Sequence, residues 1–196
     1  MIVQALFPRH CVACDREGSL LCDDCAADTS LDGPPFAYAN PMIRRLLCAW
    51  KYDGDEEGIH GLWRMTKMRL AALQATVAAE RIEAIVPVPL STWKERWRGF
   101  SQTRDLARTI GNELNLPTVD CVERRHQFTT QANLSEDVRK TSFSKNPFLV
   151  KEHAELPRRV LIVDDVETTG ATMEAVEKAL RDAGVEVVVK WSLAKG

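Results

Sequence analysis

In its last third the chain reads as strand, helix, strand. A branched apolar run occupies residues 160–163, a helical stretch residues 171–183, stopped by Gly184, and a second β-rich run residues 185–193. That order predicts a parallel pair, because a helical crossover carries the chain back to the end of the sheet from which it left. An earlier unit has the same form: a short apolar strand over 84–89, flanked by prolines, precedes a helix over 101–114. Two such units predict an open α/β sheet with helices on both faces.

At the end of the 160–163 strand stand two adjacent carboxylates, Asp164 and Asp165. Thr168, Thr169, Gly170, Ala171 and Thr172 follow, leading into the helix. Ligands of open α/β sheets bind outside the carboxyl ends of the strands. Gly170 and the free N–H groups of a helix start can wrap an anionic group, and the threonine hydroxyls add donors, which suits a phosphate monoester. The carboxylates would repel a bare phosphate; vicinal hydroxyls or a hydrated Mg²⁺ satisfy them. Phosphate, sugar diol and magnesium together describe a phosphoribosyl ligand, whereas helix caps and a solvated turn are the plainer use of the same residues.

The complete string VLIVDDVETTGATM resembles the phosphoribosyl-diphosphate (PRPP) motif of type I phosphoribosyltransferases. The resemblance implies that Asp164 and Asp165 meet the ribose hydroxyls as catalytic and binding residues. It implies that Thr168, Thr169, Gly170, Ala171 and Thr172 hold the 5′-phosphate, with magnesium accompanying PRPP. In the 6-oxopurine enzymes of that family a carboxylate base stands at the position of Thr168, so hypoxanthine or guanine salvage is disfavoured.

Four of the six cysteines, Cys11, Cys14, Cys22 and Cys25, fall in the first 25 residues as C-x2-C-x7-C-x2-C. This paired spacing predicts a structural zinc knuckle whose metal replaces a core that the segment lacks the apolar residues to build. His10 precedes the first pair and could compete as a ligand, but the four cysteines already complete a tetrahedral shell. Cys48 and Cys121 sit in apolar runs and are expected to be buried. A loop over 31–41, rich in Gly and Pro, is expected to lack regular structure, so the chain divides into a four-cysteine module (1–30) and a main domain (31–196).

The composition, 45% apolar and 28% charged with a formal charge of -2, is that of an ordinary globular chain, and it excludes a surface made wholly for wrapping nucleic acid. No apolar run is long enough to span a bilayer, and the opening residues lack the pattern of a secretory signal, so a cytoplasmic location is expected. Between the cysteines and the last third, residues 43–52 could be helix or strand. Residues 60–82 read as one long amphipathic helix, 119–122 as a short strand and 123–146 as a polar loop.

Cations in this middle region, Lys51, Lys94, Arg96, Arg98 and Arg139, are candidates to neutralise a departing diphosphate, with Lys51, Arg96 and Arg98 foremost. The aromatics Trp93, Trp97 and Phe100 alternate with Lys94, Arg96 and Arg98, a pattern that serves either single-strand stacking or a turn packed into the core.

The CxxC pairs, KYDG (51–54), VPVPL (86–90), RGFSQ (98–102), Thr130, Gln131 and Leu134, and DDVETTGAT, in that order, make the chain resemble the ComF family. These are competence-associated phosphoribosyltransferase-like proteins that include the GntX homologues. Ser101 and Ser142 depart from the family pattern, which has Asn at both places. The resemblance implies a type I phosphoribosyltransferase-like parallel sheet with flanking helices. It implies a role in DNA uptake, handling internalised single-stranded DNA beside helicase-type partners, either as a phosphoribosyltransferase of unspecified acceptor or as a non-catalytic nucleic-acid-binding or partner-docking protein that retains the fold.

Overall fold

The computed structural model describes residues 8–27, 33–90, 101–125 and 146–196. In chain order the described elements are α1 (Asp23–Ala26), β1 (Phe36–Ala37), α2 (Pro41–Tyr52), α3 (Glu56–Lys67), α4 (Ala71–Ala79), β2 (Ala84–Pro87), α5 (Gln102–Leu114), β3 (Val122–Arg124), β4 (Phe148–Val150), β5 (Arg159–Glu167), α6 (Ala171–Asp182) and β6 (Val187–Lys195). β1, β6, β5 and β2 form one sheet in that order, with every pairing parallel; β3 and β4 pair antiparallel beside it.

Successive residues of a strand face opposite ways, so the central strands divide their apolar residues between two cores. Ile85, Leu161, Val163, Trp191 and Leu193 pack with α2, α3 and α5 on one face. Val86, Val160 and Ile162 pack on the other with Met173, Val176 and Leu180 of α6 and with Val122 and Phe148 of the small sheet. The expected α/β sheet with helices on both faces is what the chain builds.

Helix α2 resolves the ambiguity of residues 43–52. Asn40 caps it by accepting from the N–H groups of Met42 and Ile43, and Pro41 opens its first turn, a start signal that lies outside the apolar run. α2 and α3 then pack at very short range: a Cβ at Gly58 would lie 2.4 Å from the Leu46 carbonyl oxygen. Gly58→Ala is therefore expected to destabilise the protein by about 1–3 kcal/mol through forced separation of the two helices, read as a lower denaturation midpoint in urea with an unchanged slope.

Several elements differ from the sequence expectation. The single helix over 60–82 is two helices, α3 and α4. No Gly or Pro marks the break. The Arg69 guanidinium takes the Met65 carbonyl, the Arg69 N–H turns to Thr66, and the Thr66 hydroxyl bonds back to Leu62, a pattern that bends helices. The strand expected at 119–122 begins instead at Val122. Thr118 makes a lone bridge to Ile85 at the edge of the main sheet, and the chain then leaves to pair with β4.

The loop at 31–41 contains β1, because Phe36 and Ala37 find open ladder positions beside Ala194 and Lys195 of β6. Cys121 is buried as expected, but Cys48 is only half-buried, since it lies off the stripe of α2 that carries Leu46, Leu47 and Trp50.

The four-cysteine segment shares the main core. Cys11, Leu21 and Ala26 are buried in the same cluster as Leu46, Leu62 and Met65, and Gly61 leaves the space that Leu21 fills. Polar ties reinforce the contact. Arg9 reaches Asp55 at 2.6 Å, the Leu20 N–H donates to Glu57 at 2.9 Å, and Arg64 donates to Asp23 and to the Leu21 carbonyl. The predicted boundary at residue 30 falls outside the described residues. Among the described residues no helix is long and apolar enough to cross a membrane.

Candidate functional site

The acidic pair lies inside β5, not after it. The strand continues past Val163 to Glu167, because β6 runs alongside as far as Lys195 and supplies ladder partners; Asp164 stands opposite Ser192. Both residues are buried, each 7% exposed as a whole residue. Strand alternation places Asp165 on the side of Leu161 and Val163, under α2, and Asp164 on the side of Ile162, near α6.

On the α2 side the Lys51 ammonium lies 2.7 Å from Asp165 Oδ2, both side chains being nearly buried. On the other side Asp164 Oδ1 accepts from the Asp165 N–H at 2.8 Å. Burial, and next the neighbouring charge of Asp165, push the Asp164 carboxyl up to about 7, against the pull of that N–H and of Lys51. The Ser192 hydroxyl beside Asp164 is buried and has no hydrogen-bond partner among the described residues. A protonatable carboxyl and an unsatisfied hydroxyl, side by side at the carboxyl end of a parallel strand, suit a ligand rich in hydroxyl groups.

Thr168, Thr169, Ala171 and Thr172 are exposed, in the turn between β5 and the first residues of α6. Gly170 takes the left-handed conformation, φ +78°, and opens α6 without a side-chain cap; the Thr169 hydroxyl accepts weakly from the Ala171 N–H at 3.4 Å. A side chain at Gly170 would be strained and would also approach Glu167 Oε1 at 3.3 Å. The sequence reading overlooked the charge around this turn. Glu167 and Glu174 stand close to Gly170, and Lys195 Nζ balances Glu167 at 3.3 Å. Lys195 closes β6, so only the pairing of β5 with β6 brings it there.

VPVPL leaves the sheet beside the acidic pair. The Val88 N–H donates to the Val163 carbonyl at 2.9 Å, and the Thr103 hydroxyl donates to the Val88 carbonyl at 2.7 Å. Ser101, one of the two departures from the family pattern, is buried beside Thr103 with its hydroxyl 3.5 Å away. The structure thus brings Lys51, VPVPL, the start of α5 and the acidic pair together. Trp93, Lys94, Arg96, Trp97, Arg98, Phe100, Thr130, Gln131, Leu134, Arg139 and Ser142 lie outside the described residues.

The four sulfurs of Cys11, Cys14, Cys22 and Cys25 lie within 4.8 Å of one another, Cys14 and Cys22 at 3.7 Å. A tetrahedral ion with bonds of about 2.3 Å holds its sulfurs about 3.8 Å apart, so the cluster has the dimensions of a metal site. Its electrostatics agree. Burial raises the Cys11 thiol, but N–H groups of Cys22, Cys14 and Ala13 outweigh it and bring it down to about 6. Cys25 is pushed up by the sulfurs of Cys22 and Cys14 and by burial. One thiolate forms readily and its charge opposes the next, a conflict that a bound cation removes. His10 instead places its ring nitrogen 3.0 Å from the Asp15 carbonyl; among the described residues the cluster is the four cysteines alone.

A family model described as "Phosphoribosyl transferase domain" matches residues 98–193. Competence protein F of Haemophilus influenzae is 40% identical over 116 residues, 58% of this chain and 50% of that protein. Competence protein ComFC of Streptococcus pneumoniae is 28% identical over 160 residues, covering 82% and 66%. DNA utilization protein YhgH of Escherichia coli K12 is 32% identical over 168 residues, covering 83% and 68%. The chain therefore spans about half the length of the first of these relatives and about two thirds of the other two.

Proposed function

Because the chain belongs to the ComF family of phosphoribosyltransferase-like proteins, we propose that it binds PRPP with Mg²⁺ at Asp164 to Thr172 and acts in DNA uptake. One observation carries the ligand: two buried carboxylates at the carboxyl end of a parallel strand, followed by a hydroxyl-rich turn through a left-handed glycine into an uncapped helix. The carboxylates accept the ribose hydroxyls. Thr168, Thr169, Thr172 and the N–H groups around Gly170 and Ala171 hold the 5′-phosphate, with Lys195 offsetting the charge of Glu167. Mg²⁺, when bound with PRPP, neutralises the diphosphate and so favours its departure.

The chain's contribution to transfer is to fix the ribose for displacement of diphosphate by an acceptor nucleophile, a matter of positioning and charge stabilisation. Arg96 and Arg98 are the proposed diphosphate contacts. The four cysteines hold a structural zinc, so that residues 1–30 form a metal-held module seated on the main domain of residues 31–196. The names of the relatives, competence and DNA utilization, support a role in the uptake or use of DNA; internalised single-stranded DNA, helicase-type partners and a cytoplasmic setting belong to the proposal.

Calorimetric titration of the zinc-loaded protein with PRPP in the presence of Mg²⁺ is expected to show one site per chain. No heat of binding at millimolar PRPP overturns the reading.

A further inference from the structure

Lys51 holds a position that a direct diphosphate contact does not explain. α2 is seated firmly: Ile43, Leu46, Leu47 and Trp50 are buried along it, and Asn40 caps its start. Lys51 lies four residues beyond Leu47, hence on the same helical face, and so is delivered to the sheet by the stripe that anchors the helix. Strand alternation brings Asp165 up to meet it from below, after Leu161 and Val163. Both partners are nearly withdrawn from water, the side chains being 12% and 10% exposed.

A buried ion pair of this kind adds little net stability, because desolvation offsets most of the attraction, while separating the partners leaves a buried charge uncompensated. For Lys51 to turn to a diphosphate it would have to abandon Asp165, the carboxylate it pairs with at 2.7 Å. Its ammonium lies against Oδ2 of Asp165, and a carboxylate has lone pairs for more than one donor.

We propose that Lys51 is a positioning residue: it neutralises and orients Asp165 so that the carboxylate receives a sugar hydroxyl, and it does not contact the diphosphate. The proposal rests on the reading of Asp164 and Asp165 as ribose ligands, and it reassigns Lys51 within that reading.

The test separates the two ends of the ligand. Wild type and Lys51→Met are titrated with PRPP, with ribose 5-phosphate and with inorganic diphosphate, each with Mg²⁺. The expected result is a loss of about 10-fold or more, equal for PRPP and ribose 5-phosphate, with diphosphate unaffected. A loss confined to PRPP and diphosphate overturns the proposal and returns Lys51 to the leaving group. Unchanged affinities with a lowered melting temperature also overturn it, leaving the pair a structural feature.

If Lys51→Met fails to fold, the comparison moves to the Asp165→Asn background. There Lys51→Met should produce no further loss of ribose 5-phosphate affinity, because the group it acts through is gone; a further loss of about 10-fold in that background overturns the proposal. Failure of wild type to bind any of the three ligands is a different outcome: it removes the PRPP reading itself, and this proposal with it.

Discussion

Asp164→Asn combined with Asp165→Asn is expected to abolish PRPP binding, weakening it by at least about 100-fold. A hydrogen bond to a charged group contributes about 1.5–3 kcal/mol, so two lost carboxylate acceptors remove about twice that, and about 1.4 kcal/mol is a factor of ten in affinity. The two substitutions differ in what they do to the fold. Burial and the charge of Asp165 already push Asp164 up to about 7, so its neutral form is near at hand. An amide at 164 keeps an oxygen to accept the Asp165 N–H.

Asp165→Asn, by contrast, strands the Lys51 ammonium at 12% exposure, and breaking a buried pair in this way costs about 3–5 kcal/mol. The single Asp164→Asn variant is therefore the clean measurement, with circular dichroism and thermal melting as controls, and the double variant gives the larger effect. Undiminished PRPP affinity in a folded double variant would place the ligand elsewhere on the protein.

The other large effect concerns the four sulfurs. Elemental analysis is expected to find one zinc per chain, and removing it with a chelator, or substituting Cys11→Ser with Cys25→Ser, should lower the melting temperature of the whole protein by roughly 10 °C or more. Structural zinc binding is worth about 10–16 kcal/mol in small modules. Losing even a third of that from a domain of this size shifts the midpoint by about 2–4 °C for each kcal/mol.

The loss should not stay local, since Cys11 and Leu21 share a core with Leu46, Leu62 and Met65, and Arg9, Leu20 and Arg64 tie the segment to α3 and its cap. A single transition moved downward is thus expected. A separate early transition, with the main one unmoved, would show that the cysteine segment folds on its own.

Local patterns carried much of this protein. The run of branched apolar residues at 160–163, the helical stretch ended by Gly184 and the second apolar run are each set by φ/ψ preferences and burial over a few residues, which is why the parallel unit could be read directly. The string from Asp164 to Thr172 and the two CxxC pairs are likewise legible, because a strand end, a left-handed glycine and a thiolate pair each need particular residue types at fixed short spacings.

Long-range contacts settled the rest. β5 runs on through its acidic pair because β6 lies alongside it and Lys51 meets Asp165. Thr118 bridges Ile85 while the strand begins four residues later, and Lys195 comes to Glu167 only through the ladder. A buried charge with its partner on another element leaves no mark in the local sequence. Its energy arises only once desolvation and packing bring distant residues together. Asp164 and Asp165 could be singled out by their neighbours in the chain, but the Lys51 that meets Asp165 comes from α2 and the ladder that carries the strand through the pair comes from β6.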